Sequence, residues 1–166
     1  MSALAIRDAR RADRDRIEAV TLAAYEQYAA VLRPPYWDAY RENIVRTLAA
    51  APLSVPIVAE EDGALVASVL LYPAGTVMTP PGGASTELGT PEVRLLAVAP
   101  SARGRGVGET LMRECIDRTR RAGAAALTLH TTDMMDAAIR LYTRVGFQRA
   151  PELDFQPVPD LLVKGF

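Results

Sequence analysis

The chain has 166 residues, 49% of them hydrophobic and 23% charged, with a formal net charge of -1. That balance predicts a single globular domain over residues 1–166 that buries its own core, and it argues against a general nucleic-acid binder, which needs a basic face. A single cysteine, Cys115, excludes an internal disulfide and, with only one histidine, His130, argues against a metal centre. The opening residues lack a signal-peptide pattern, and no stretch approaches the roughly 20 apolar residues of a membrane helix, so a cytoplasmic protein with no membrane partner is expected.

Ala3 to Arg7 alternates and predicts a short edge strand. Asp13 is placed to cap a helix that carries Ile17, Val20, Ala24, Tyr28 and Val31 at helical spacing. Pro34-Pro35 breaks it, and a second helix aligns Trp37, Tyr40, Ile44 and Leu48 before Pro52 closes the segment. Val55 to Glu60 and Leu65 to Tyr72 flank Asp62-Gly63, a tight-turn pair, and predict an antiparallel hairpin. Pro73 to Pro91 is rich in glycine, proline, serine and threonine and reads as a long loop with a strand extension near Thr76 to Met78.

Glu92 to Val98 is apolar enough for a buried strand, and Pro100 ends it. A turn with glycines at 104, 106 and 108 leads into a helix from Glu109 to Ala122, whose inner face is Val107, Leu111, Met112, Cys115 and Ile116 and whose stop is Gly123. Ala125 to Thr131 is a further strand, and Asp133 is placed to cap a helix bearing Ala138, Leu141, Tyr142 and Val145 up to Gly146. Phe147 to Arg149 reads as a short strand, Pro151 to Pro159 as a connection, and Leu161 to Gly165 as the last strand. The order is β-α-α-β-β-β-α-β-α-β-β, an α/β (α+β) chain.

The chemistry concentrates at Gly104-Arg105-Gly106-Val107-Gly108. Free amides and the positive end of a helix dipole attract an anion there, and glycine lets the backbone approach it closely. The spacing differs from the dinucleotide fingerprint G-x-G-x-x-G, and no phosphate-loop signature of nucleotide triphosphatases occurs. Cys115 is on the buried helix face and reads as a small core residue. His130 near a strand end is either a packing or surface residue or an aid to proton transfer.

Arg103, Gly106 and Gly108 match the motif of glutamine or arginine, two residues, glycine, one residue, glycine or alanine that marks the GNAT family of acetyl-CoA-dependent N-acyltransferases. Ala138, Leu141, Tyr142, Gly146 and Phe147 resemble the family's second signature, A-x-x-L-Y-x-x-x-G-F, and the element order is also similar, so the likeness covers nearly the whole chain. The resemblance implies the GNAT fold, a mixed twisted sheet of about six to seven strands with about four helices, splayed between two central parallel strands.

It further implies acetyl-CoA as co-substrate, no metal, and a small-molecule or peptide amine as acceptor, with a homodimer as a common assembly. The amides of Arg103, Gly104, Arg105, Gly106, Val107 and Gly108 would hold the pyrophosphate, and the backbone of Leu96, Ala97 and Val98 would pair with the pantetheine. Glu92 matches a position where some relatives carry the general base, the alternative being an exposed charge at a strand start. Tyr142 matches the phenol that protonates the departing thiolate, the alternative being a core aromatic. Relatives commonly carry asparagine seven residues before that tyrosine; here it is Met135, a departure that removes one hydrogen bond to the cofactor arm, though a thioether can pack against that arm without it. The family's acceptor wall lies in the early helices, which here carry Tyr25, Tyr28, Tyr36, Trp37 and Tyr40; helical spacing reads Tyr28, Trp37 and Tyr40 as core packing, and Tyr36 beside the Pro-Pro corner as a candidate to line a pocket. A non-catalytic acyl-CoA-binding or regulatory module stays open as the alternative to an enzyme.

Overall fold

A computed structural model describes residues 3–50, 53–80 and 82–166. Its strands are β1 (Leu4–Asp8), β2 (Val55–Glu61), β3 (Ala64–Tyr72), β4 (Val77–Met78), β5 (Thr86–Glu87), β6 (Glu92–Val98), β7 (Thr128–Thr131), β8 (Phe155–Val158) and β9 (Leu161–Gly165). The helices are α1 (Arg14–Tyr25), α2 (Ala29–Leu32), α3 (Tyr36–Ala49), α4 (Val107–Arg121) and α5 (Asp136–Arg144). Seven strands form a mixed sheet in the order β1-β2-β3-β6-β7-β9-β8, and β4 pairs with β5. The β6-β7 ladder is parallel, whereas β1-β2, β7-β9 and β8-β9 are antiparallel. Two compact units divide the chain, Met1–Leu70 with Leu95–Leu111, and Leu71–Arg94 with Met112–Phe166.

In the first unit, β2 buries Ile57, Val58 and Ala59 in succession and β3 buries Ala67, Ser68, Val69 and Leu70, runs that mark strands covered on both faces. The hairpin joining them turns at Asp62 and Gly63, both at positive φ (50° and 77°), as a two-residue turn of the mirror-image type requires. Ile17, Val20, Thr21 and Ala24 of α1 and Trp37 and Ile44 of α3 are buried.

Asp13 does not cap α1 with its side chain. Arg7 of β1 donates to both of its oxygens at 2.7 and 3.1 Å and to Glu60 of β2 at 2.6 Å, and the Arg10 amide adds a bond of 2.7 Å to Asp13. A charge-assisted fork outweighs one cap bond, and the Arg7 guanidinium holds the Asp13 carboxyl down to about 2. The first helix is also shorter than its apolar spacing predicts: it tightens into a 3-10 turn at Glu26–Tyr28, restarts as the four-residue α2, and leaves Val31 exposed. Pro52, expected to close the second helix, lies outside the described residues.

In the second unit, Val93, Met112, Cys115, Leu129, Tyr142 and Phe166 are buried. Gly123 stops α4 at φ 75°, with its amide on Arg120 and the Ala124 amide on Thr119, so the left-handed residue closes the last turn. Strand β7 is shorter than predicted, because only Thr128–Thr131 of the expected Ala125 to Thr131 pairs; the preceding alanines have little to pack on a pleated surface. Phe147 to Arg149 is not a strand. Phe147 packs edge-on against Tyr142 at 6.0 Å, and Arg149 is drawn to Asp154 at 2.7 Å and to the Gly165 carbonyl. The penultimate strand is β8, inside the segment expected to be a connection; all four of its residues are exposed and its register with β9 is irregular.

Candidate active site

The glycine turn belongs to the first unit. Pro100–Ala102 forms a 3-10 turn after β6, and the Ala99 amide bonds the Val66 carbonyl of β3 at 2.8 Å, which fixes where the strand ends. Gly104 and Gly106 follow at φ 72° and 78°, a region that other residues enter only at a cost of roughly 1–2 kcal/mol. A Cβ built on either glycine meets nothing within 4 Å among the described residues, so there is space beside the turn at both positions. The first backbone bond of α4 runs from the Thr110 amide to the Gly106 carbonyl at 3.0 Å, and the amides ahead of it point out of the helix end. These glycine and amide positions fit a diphosphate.

The side chains of the turn are committed elsewhere. Arg103 donates to the Ala24 carbonyl near the end of α1 at 2.9 Å, and Arg105 pairs with Glu61 of β2. Both arginines tie the loop to its neighbours. Leu95 has φ 50°, an unusual value for a leucine within a strand and one that sequence reasoning missed, since nothing about leucine announces it. It immediately precedes Leu96, Ala97 and Val98. In the same unit the Tyr25 ring lies 5.7 Å from Tyr28 and 6.0 Å from Tyr40, Trp37 is buried, and Tyr36 is exposed.

The second unit holds a polar cluster. Glu92 starts β6 but is only 4% exposed, which removes the reading of an exposed charge at a strand start. The parallel β6-β7 ladder pairs Glu92 with Thr128 and Val93 with Leu129, so His130 lies two residues along β7 from the partner of Glu92, on the same face of the sheet. Arg94 Nε donates to Glu92 Oε1 at 2.5 Å, and its guanidinium lies 5.5 Å from the Tyr72 ring centroid. His130 Nδ1 is 3.7 Å from Glu92 Oε2, and Nε2 donates to the Leu153 carbonyl at 3.0 Å. Burial pushes the Glu92 carboxyl up, but His130 and Arg94 together outweigh it and hold it below the usual carboxylate range. His130 is raised by Glu92 against the opposing effect of burial. Arg94 and the Leu153 carbonyl were not legible as site groups, because alternation along β6 shows only that Arg94 sits two residues from Glu92.

Tyr142 is buried on α5 against Phe147. Met135 is the residue before α5, with φ -99° and ψ 48°, and its amide bonds the Thr132 carbonyl at 3.0 Å. Asp133, expected to cap this helix, instead accepts from Lys164 at 2.5 Å. The hydroxyls of Thr131 and Thr132 are buried and lack a hydrogen-bond partner among the described residues.

A glycine turn of this conformation at the head of a 15-residue helix, following a strand whose first residue is a buried carboxylate, calls for comparison with known proteins. The sequence profile of the acetyltransferase (GNAT) family matches residues 16–147. The chain belongs to that family. It is 45% identical over 58 residues to the N-alpha-acetyltransferase RimI of Mycobacterium tuberculosis, covering 35% of each chain. To streptothricin acetyltransferase of Streptomyces lavendulae it is 44% identical over 52 residues, which is 31% of this chain and 28% of that one. The chain thus spans about a third of the length of these curated relatives. Among solved structures, a GNAT acetyltransferase from Brucella melitensis in complex with acetyl-CoA shares 28% identity at a TM-score of 0.62, covering 98% of this chain and 95% of that one. The chain, with its mixed sheet, thus shares the fold of that GNAT structure.

Proposed function

We propose that residues 1–166 act as one catalytic domain that transfers an acetyl group from acetyl-CoA to a primary amine of a small molecule or peptide. The observation that carries this reading is the pair of positive-φ glycines, Gly104 and Gly106, ahead of α4, where an added Cβ would meet no described atom within 4 Å. The backbone of Arg103 through Gly108 holds the pyrophosphate, with the side chains of Arg103 and Arg105 bracing the loop through Ala24 and Glu61. Leu96, Ala97 and Val98 offer backbone groups to the pantetheine, and the left-handed Leu95 re-aims the strand just before them. Met135 contributes apolar contact to the same arm. The family match at residues 16–147, running through residues of both units, supports a single domain.

Glu92 receives the proton that the ammonium form of the acceptor must lose, directly or through water, and Tyr142 donates a proton to the departing thiolate. Transfer is direct, with no acyl-enzyme. Pairing of two copies belongs to the same reading, since β8 ends the strand order and exposes Phe155 and Val158. Release of free CoA across a panel of amines, with and without Gly106→Val, tests the proposal: acceptor-dependent release that the variant lowers supports it.

A second reading is a non-catalytic acyl-CoA-binding module. The observation in its favour is the engagement of both Glu92 oxygens by Arg94 and His130, together with methionine at position 135. Acetyl-CoA binding without release of CoA for any amine would select it.

A further inference from the structure

We infer that Glu92 and His130 act as one proton-accepting couple, in which His130 is a positioning residue that sets the pH at which Glu92 takes the proton of the acceptor. The inference rests on the reading of Glu92 as proton acceptor. Its ground is the direction of two bonds. A backbone carbonyl only accepts, so the 3.0 Å contact to Leu153 requires the imidazole to carry its hydrogen on Nε2. In the neutral ring the Nδ1 lone pair then faces Glu92 Oε2 across 3.7 Å, an anion opposed by an acceptor. Addition of one proton, to Nδ1 or to Oε2, converts that repulsion into a hydrogen-bonded attraction. The pair therefore titrates as a unit.

The surroundings hold the couple in this arrangement. Arg94 occupies Oε1 at 2.5 Å, which leaves Oε2 as the oxygen that answers to the imidazole. Phe155 of β8 stands edge-on to the His130 ring at 5.4 Å and 69°, opposing a ring flip that would exchange the two nitrogens. The charged groups facing His130 are Glu92 and Arg94 from β6; on the neighbouring β9, Lys164 is engaged by Asp133. The shift of His130 to higher pH agrees with a ring that gains more from Glu92 than it loses to burial.

In the reaction, the acceptor ammonium gives one proton to the couple and becomes the free amine. The carbon–nitrogen bond forms as the carbon–sulfur bond breaks, Tyr142 protonates the thiolate, and the second nitrogen proton restores Tyr142. The couple returns its proton to solvent, so the sum is ammonium plus thioester giving amide, thiol and one proton.

His130 is the only histidine in the chain, so uniform nitrogen-15 labelling reports on it without assignment ambiguity. A pH titration by long-range proton–nitrogen NMR should show the Nε2–H tautomer on the basic side and a midpoint above the ordinary value of about 6.5. Glu92→Gln should move that midpoint down. The acid limb of kcat/KM should coincide with the wild-type midpoint and shift toward the carboxylate range in His130→Gln, with His130→Asn as the second variant if the first misfolds. A midpoint unmoved by Glu92→Gln, an Nδ1–H tautomer, or an acid limb unchanged in the histidine variants overturns the inference. Absence of CoA release from the wild type with every amine would defeat the acetyltransferase reading instead, and the titration would still decide whether the couple exists.

Discussion

At Glu92, burial and two cations pull in opposite directions, and the cations prevail. Linkage gives the sign. Glu92 is depressed, so its stabilisation is present above an unfolded value of about 4.3 and is lost as pH falls through its lower folded value. His130 is raised, so its stabilisation is full below about 6.5 and fades as pH rises through its higher folded value. Urea unfolding at a series of pH values should show this contribution at a plateau between those limits, and His130→Gln should flatten the decline above it. Asp13, held at about 2, adds stability that is lost only as pH falls from about 4 toward that value.

Tyr142→Phe keeps the ring against Phe147 and removes only the hydroxyl, so kcat should drop by roughly 100-fold with little change in Tm. An unchanged kcat would return Tyr142 to a packing role. Thr131→Val replaces a buried hydroxyl that has no partner among the described residues, and chemical denaturation should find it neutral or stabilising by up to about 1 kcal/mol.

Among the elements, the turn before α4 carries the strongest prediction. At Gly106 a Cβ would meet nothing within 4 Å, but Gly106→Val must adopt φ near 78° and places a branched side chain at the turn. KM for acetyl-CoA should rise roughly tenfold or more, and calorimetric titration with acetyl-CoA at unchanged affinity would refute the cradle. At Gly165 the cause is different, because a Cβ there would collide with Leu153 and the Ala150 carbonyl. Gly165→Ala should cost about 2 kcal/mol by overpacking, read as a lower denaturation midpoint.

Elements with local chemistry were legible. Asp62-Gly63 dictates its turn, and Gly123 its helix stop, because each depends on one residue's freedom at positive φ. Asp13 misled as a cap because its partner, Arg7, belongs to a strand that only the tertiary fold brings to it. Strand β8 was hidden because its four exposed residues, Pro157 among them, carry no alternation, and its pairing comes from β9. The turn at Glu26–Tyr28 has no glycine or proline to announce it.

For the molecule as a whole, the two signatures at Arg103–Gly108 and Ala138–Phe147 carried the family, which the match at residues 16–147 shows. The turn at Gly104 and Gly106 was readable because glycines mark it; the Glu92, Arg94 and His130 cluster was not, since sheet register rather than sequence distance assembles it. None of the described helices is long and apolar enough to cross a membrane. The central claim, acetyl transfer to an amine, is tested most directly by mass spectrometry of an amine panel incubated with the purified protein and acetyl-CoA, with free CoA quantified in parallel. The account predicts an acceptor gaining one acetyl group for each CoA released, at a rate that Tyr142→Phe lowers. Acetyl-CoA bound but no acceptor acetylated across the panel would contradict it.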